Sequence, residues 1–252
     1  MAKRGKYNRR RNRGRLSFLY KLLSFFAICA VIGVALALFF KIQHREVSGN
    51  LRYTGQEILD ASGVFEGDNM FLLNKYEVSA RITSTLPYVE TVQIRRALPD
   101  TLIFRVSECT APAAVMQDGV AWLLSGRGKL VEKTTAGKAA DYAQITGIHL
   151  TDPVLGQRAA ASEAQSGTLK ILLTLLEQLE NKNMIDKVRE IHLEDASQIT
   201  LQYMDRFQVI IPWNADLDYK LSYLQAVVEK LEINETGTID MTQDGRASFI
   251  PG

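Results

Sequence analysis

The spacing of apolar and polar residues changes character along this chain, and each change predicts a different element. Leu22 to Phe40 is an unbroken run of 19 uncharged residues. At about 1.5 Å per residue it makes a helix of roughly 28 Å, close to the hydrocarbon thickness of a bilayer. One membrane span is predicted. Beyond it, Glu46-Val47-Ser48-Gly49 reads as a short strand and turn, and Thr54-Gly55-Gln56-Glu57 as a capping box that opens a short helix ending near Gly63. Asn74 is a second N-cap with Glu77 three residues on. Val78, Ile82 and Leu86 then recur every four residues until Pro87 ends the helix. The period next falls to two. Val92 and Ile94 alternate with polar positions, Leu98-Pro99-Asp100 supplies a turn, and Leu102, Phe104 and Val106 alternate again. The predicted order is β-α-α-β-β.

From about Ala111 onward the pattern predicts a second module of strands and two helices. Val120 to Leu124 and Lys129 to Glu132 form a hairpin across Ser125-Gly126-Arg127-Gly128, and Thr168 to Asn181 is a helix with Leu169, Leu172, Leu173, Leu176 and Leu179 on one side. Strands follow at Arg189 to Leu193, Gln198 to Tyr203 and Phe207 to Ile211. A last helix runs from Asp218 to Leu231, before short strands at Thr238 to Met241 and Ala247 to Ile250.

Charge orients the span. Residues 1–41 hold ten Lys/Arg and no acid, leaving 20 basic against 28 acidic residues, a net −8, in 42–252. The basic tail, Lys3, Arg4, Lys6, Arg9, Arg10, Arg11, Arg13, Arg15 and Lys21, is expected to stay cytoplasmic while the remainder crosses the membrane. Ala35-Leu36-Ala37 admits a cleavage-site reading, but the apolar run continues through Phe40, beyond an ordinary signal core, so an uncleaved anchor is expected. A nucleic-acid arm is a rival reading of the tail. A topology signal accounts for it more simply, and the acidic remainder argues against broad nucleic-acid binding. Cys29 lies in the apolar run and Cys109 is the one cysteine beyond it, so the exported part has no cysteine pair for a disulfide.

No pattern marks catalysis, a cofactor or a metal. His44, His149 and His192 form no H-x-x-x-H pair, and Gly126-Arg127-Gly128-Lys129 lacks the glycine spacing of a phosphate loop and reads as a hairpin turn. Asp216 and Asp218 open a helix, where capping explains them. Cys109 has no recognisable His partner motif, and there is no G-x-S-x-G. The chain is expected not to be an enzyme.

Val47-Ser48-Gly49, Gly63, Asn69-Met70-Phe71, Leu86-Pro87-Tyr88-Val89, Ile94-Arg95-Arg96, Leu98-Pro99-Asp100-Thr101-Leu102 and Val106-Ser107-Glu108 resemble, in order and spacing, the POTRA domain of the bacterial cell-division family FtsQ/DivIB. The single anchor and basic tail are similar to that family too. Cys109 departs from it, standing where the family usually has Arg. Ile145-Thr146-Gly147, Lys220 to Leu224 and Ile239-Asp240-Met241 resemble its β domain. The resemblance implies an α+β fold: a basic tail at 1–21, one transmembrane helix at 22–41, a POTRA domain at 42–110 and a mixed, β-rich domain at 111–252. It also implies a non-enzymatic divisome protein at the septum that helps control septal peptidoglycan synthesis. Its implied partners are FtsB/DivIC-like and FtsL-like bitopic proteins, with septal peptidoglycan synthases beyond them. Carried onto this chain, the partner-binding segment is Asp240 to Ile250, with Phe249 and Ile250 as apolar contacts and Ser248 on the alternate face. Arg95, Arg96 and Arg105 are solvent-facing candidates on the POTRA strands. Packing of Phe249 into its own domain is an equal alternative for that residue. A membrane-anchored receptor or peptidoglycan-binding module is the alternative function, although Trp122 and Trp213 both fall in apolar, strand-like stretches.

Overall fold

The computed structural model describes residues 13–243 and 245–252, with the side chains of 13–17 and 36–38 left aside. The cationic residues Lys3, Arg4, Lys6, Arg9, Arg10 and Arg11 lie outside the described residues. The apolar run forms α1 (Arg13–Phe39), and every side chain from Phe18 to Ala35 is exposed. An exposed apolar surface over that length has no stable place in water and fits a membrane anchor.

Next come β1 (His44–Ser48), α2 (Gly55–Ser62), α3 (Lys75–Thr85), β2 (Val89–Ala97) and β3 (Thr101–Glu108), the β-α-α-β-β order. They make a three-stranded sheet, β1-β3-β2, with β1 parallel and β2 antiparallel to β3. The capping box forms: the Glu57 N–H donates to the Thr54 hydroxyl at 3.3 Å, and the Thr54 N–H donates to the Glu57 carboxylate at 2.8 Å. Gly63 closes α2 in the left-handed region, and Asn74 caps α3 by accepting from the Tyr76 N–H. Ile58, Val78, Ile82, Ile94, Leu102, Phe104 and Val106 pack between these helices and one face of the sheet. Gly49 has φ +85°, and a side chain there would collide with the Val106 carbonyl. Glu108 ends β3 by accepting from three loop N–H groups, those of Leu51 (3.1 Å), Arg52 (2.6 Å) and Tyr53 (3.2 Å). That loop leads directly into α2, so one carboxylate fixes its entry.

The rest comprises β4 (Ala113–Gln117), β5 (Val120–Leu124), β6 (Leu130–Thr135), β7 (Ala143–Thr146), α4 (Ser166–Asn181), β8 (Val188–His192), β9 (Gln198–Tyr203), β10 (Phe207–Pro212), α5 (Leu217–Val228), β11 (Gly237–Asp240) and β12 (Ser248–Pro251). Its nine strands form one sheet in the order β12-β11-β10-β9-β8-β7-β4-β5-β6. Leu172, Leu175, Leu176 and Leu179 of α4 and Leu217, Leu221 and Leu224 of α5 bury against it with Ile145, Ile191, Leu201, Phe207 and Val209. The apolar pattern did not single out β4 and β7, and it placed the end of α5 three residues late. After Val228 the chain tightens: the Lys230 and Leu231 N–H groups donate to carbonyls three residues back.

The two sheet units are joined by contacts, not only by the chain. Tyr88 packs with Ala111, Ala114, Ala121, Leu123, Val131 and Ala139, and its hydroxyl donates to Glu132 at 2.7 Å. The Arg52 guanidinium lies 3.7 Å over the Tyr88 ring. Lys129, buried in the β5–β6 turn, donates to the Thr83 carbonyl at 2.9 Å and the Val89 carbonyl at 2.7 Å. Those carbonyls sit in the last turn of α3 and at the start of β2, so one ammonium grips two elements of the smaller unit.

Candidate functional site

Among the described residues, the nine-stranded sheet ends at β12, whose outer edge meets no further strand. β12 pairs only with β11 among the described residues: Gly237 opposite Pro251, Thr238 opposite Ile250, Ile239 opposite Phe249, and Asp240 opposite Ser248. Just past the strand, the Gly252 N–H donates to the Thr236 carbonyl at 2.9 Å. Antiparallel alternation from that bond turns the peptide groups of Ser248 and Ile250 toward β11 and those of Phe249 and Pro251 toward the open side. The outer edge therefore offers the N–H and carbonyl of Phe249 and the carbonyl of Pro251.

The side chains separate onto two faces. Phe249 is half-buried against the core, its ring meeting Phe207 edge-on with centroids 6.2 Å apart. Ser248 and Ile250 point away from the core and are exposed. Of the two apolar residues expected as contacts, Ile250 is free to meet a partner, and Phe249 first serves its own domain. Period-two alternation correctly separates these residues but carries no sign saying which face is inward.

What positions β12 is largely polar. Lys220, 3% exposed on α5, donates to the Met241 carbonyl at 2.6 Å and the Gln243 carbonyl at 2.9 Å, supporting the β11–β12 connection from beneath. Asp240 accepts from the Thr242 N–H at 2.8 Å. Hydrogen bonds with Thr242, and then the nearby Lys220 charge, hold its carboxyl below the usual carboxylate range. Asp240 thus shapes the turn that returns the chain into β12. A lysine inside an amphipathic helix pattern reads as solvent-facing, so sequence alone carried no signal for the role of Lys220.

The three candidate arginines divide. Arg95 and Arg105 are exposed on the sheet face away from the helices, where Gln93 stands opposite Arg105 and Arg95 opposite Ile103. Arg96 turns to the helix side, where its guanidinium is half-buried and donates to the Met70 carbonyl at 2.8 Å and the Leu73 carbonyl at 3.2 Å. It is not the free solvent-facing contact that strand position suggests. The structure does not bring these arginines together with β12; they belong to the other sheet.

Among the described residues no group of three or more His, Cys, Asp and Glu side chains could hold a metal ion. Cys109 follows β3 half-buried, with Sγ 3.4 Å from the Tyr88 carbonyl, and burial, then the neighbouring Glu90 carboxylate, pushes its thiol up to about 11. A thiol so protonated at neutral pH is a poor nucleophile. Asp216 caps α5 by accepting from the Tyr219 N–H.

Residues 40–108 match the family described as POTRA domain, FtsQ-type, and residues 113–242 match Cell division protein FtsQ/DivIB, C-terminal. The chain is 33% identical over 196 residues to cell division protein FtsQ of Geotalea daltonii, covering 77% of this chain and 69% of that one. It is 26% identical over 185 residues to cell division protein DivIB of Clostridium tetani, covering 73% and 68%. A solved major extracytoplasmic domain of DivIB from Geobacillus stearothermophilus superposes at TM-score 0.32 and 20% identity, over 51% of this chain and 98% of that one. The chain therefore belongs to the FtsQ/DivIB family of cell division proteins.

Proposed function

We propose that this protein is a non-enzymatic assembly factor of the division machinery. α1 anchors it with the basic tail in the cytoplasm and the two sheet units outside, and it accumulates at the septum. FtsB/DivIC-like and FtsL-like bitopic proteins dock on β12, and through them the protein helps control the septal peptidoglycan synthases. The observation that carries this reading is the open edge of β12, whose outward N–H and carbonyl groups can accept an added strand while Ser248 and Ile250 give side-chain selectivity. Arg95 and Arg105, with Glu46 on the same face opposite Ile103, form a separate charged face available to other division proteins. A glycan-binding reading finds less support. The Lys133 ammonium lies 5.0 Å over the Trp122 ring, and Trp213 packs against the core, so neither indole is an open stacking platform.

Ile250→Asp tests the proposal because this side chain is 56% exposed and its loss leaves the core intact. The full-length variant should melt like the parent yet lose capture of an FtsB-like partner by about tenfold or more, as for an exposed interface anchor. Unchanged capture would remove β12 as the docking strand. A fluorescent fusion at the N-terminus should gather at midcell during constriction; a uniform envelope signal would overturn the divisome role.

A further inference from the structure

The smaller sheet unit has an apolar rim at the end where α1 enters it. Two loops form this rim, and both are hydrogen-bonded to the first residues past the helix. The Met70 N–H donates to the Phe40 carbonyl at 2.9 Å, the Ile42 N–H to Asp68 at 2.9 Å, the Gly67 N–H to Ile42 at 2.8 Å, and the Gln43 N–H to Asp100 at 2.8 Å. Loops 65–73 and 98–100 are thereby fixed beside residues 40–43. On them Phe65 is 68% exposed, Leu72 82%, Leu98 60% and Phe71 45%.

Large apolar side chains scattered singly over a surface are ordinary, but four on two adjoining loops at one end of a small unit form a patch. The patch is continuous with the anchor. The Phe71 ring meets the Phe40 ring edge-on at 4.9 Å, and Phe39 at the end of α1 is 79% exposed. Its acidic groups are already engaged: Glu66 pairs with Arg45 at 3.4 Å, Asp68 accepts from the Phe65 N–H at 2.8 Å, and Asp100 accepts from the Thr101 hydroxyl at 3.0 Å. The cations Lys41 and Arg96 sit at the same rim, the Arg96 guanidinium 5.5 Å from the Phe71 ring. Apolar rings with flanking cations, reached directly from a membrane helix, have the composition of a surface that lies in the interface of a bilayer.

We infer that this rim is a second membrane contact: Phe65, Phe71, Leu72 and Leu98 enter the headgroup and upper acyl region of the leaflet from which α1 emerges. The unit is then held against the bilayer at several points and cannot swing about residue 41 as a tether. Because Lys129 and Tyr88 join the two units, the same contact sets the height of β12 above the membrane. This inference requires the anchor but not the proposed partners.

The test uses the full-length chain in vesicles of phosphatidylcholine and phosphatidylglycerol, with no other protein, carrying Leu72→Trp or Leu98→Trp. The parent, with Trp122 and Trp213, gives the background. Ile233→Trp, at a site 91% exposed in the larger unit, gives the aqueous reference. Acyl-chain bromolipid should quench the added indole at 72 or 98 about twofold or more over the reference, while iodide quenches it less. Equal behaviour at all three sites overturns the inference. Protection from both quenchers also overturns it, because protein would then cover the patch. Indole has its own interfacial preference, so Phe65→Ser with Leu98→Ser is added to Leu72→Trp. Weaker bromolipid quenching in that combination supports a shared insertion, and unchanged quenching overturns it.

Discussion

The two ends of the nine-stranded sheet are handled in opposite ways. At the β6 end the chain covers the start of its own edge: the Leu130 N–H donates to the Gln157 carbonyl at 2.9 Å, and the Gly156 N–H donates back to Leu130 at 2.8 Å. The smaller unit adds Tyr88 and the clamp on Lys129 beside it. At the β12 end, a four-residue strand has no outer partner among the described residues. An exposed edge invites unspecific pairing, and proteins blunt it by shortness and proline. Pro251 sits where its missing N–H would have faced outward, so within β12 only Phe249 offers an outward donor. The open end is thus restricted by its short length and by Pro251.

The comparison breaks most severely at Lys129. Lys129→Met keeps the length of the stem but strands the Thr83 and Val89 carbonyls in a buried site, at a cost of about 2–4 kcal/mol. Urea unfolding followed by tryptophan fluorescence should show the loss, and the two units should begin to unfold in separate steps. A single transition at the parent's midpoint would mean that the apolar cluster around Tyr88 suffices to couple them.

Lys220→Met is the matching change at the open end. It removes the donor to the Met241 and Gln243 carbonyls; the Met241 bond is buried, but Gln243 lies in an exposed turn where water can replace the lost donor. We therefore expect a smaller loss, about 1–2 kcal/mol. The effect should be local. Amide exchange should quicken from Met241 through Pro251 and stay unchanged in β4 to β6, and partner capture should weaken in step. Global loosening of exchange would show that α5 docking, not the terminal hairpin, depends on this ammonium.

Much of this architecture was legible in the chain, because capping boxes and period-two strands are local statements. Thr54 with Glu57, Asn74, and the alternation from Leu102 to Val106 each report on a few adjacent residues, and each forms as expected. β4 escaped notice although its turn was readable: Asp118-Gly119, both at positive φ, is the two-residue hairpin link between Gln117 and Val120. β7 is four residues long between two parallel neighbours, too short to show a period. The candidate site was half legible. Its strand and its alternation could be read, but the inward face of Phe249 is set by Phe207, 42 positions away in the chain. The buried lysines were invisible for a physical reason: a long charged side chain is expected to reach water, and only tertiary packing reveals carbonyls gathered around it.

The smallest expected effect sharpens the closed end. Tyr88→Phe keeps the ring and the Arg52 stack but removes the hydroxyl that donates to Glu132, for a loss of about 1 kcal/mol near neutral pH. Its pH dependence identifies the cause. Burial, and then the Glu132 carboxylate that accepts its hydrogen bond, raise the ionisation of Tyr88 well above that of an ordinary tyrosine. The folded state therefore keeps a proton that the unfolded chain releases above about pH 10, so this contribution is present below pH 10 and is lost as pH rises further. Cys109, pushed up to about 11, gives a loss of the same sign from about pH 9 upward, whereas the lowered Lys129 acts in the opposite direction. Parent and variant share those two groups, so the difference between their unfolding midpoints isolates Tyr88. That difference should hold steady from pH 6 to pH 9 and shrink above about pH 10. A difference that stays constant to high pH would mean that the hydroxyl contributes through shape alone, and that the Glu132 bond is not what ties β6 to the smaller unit.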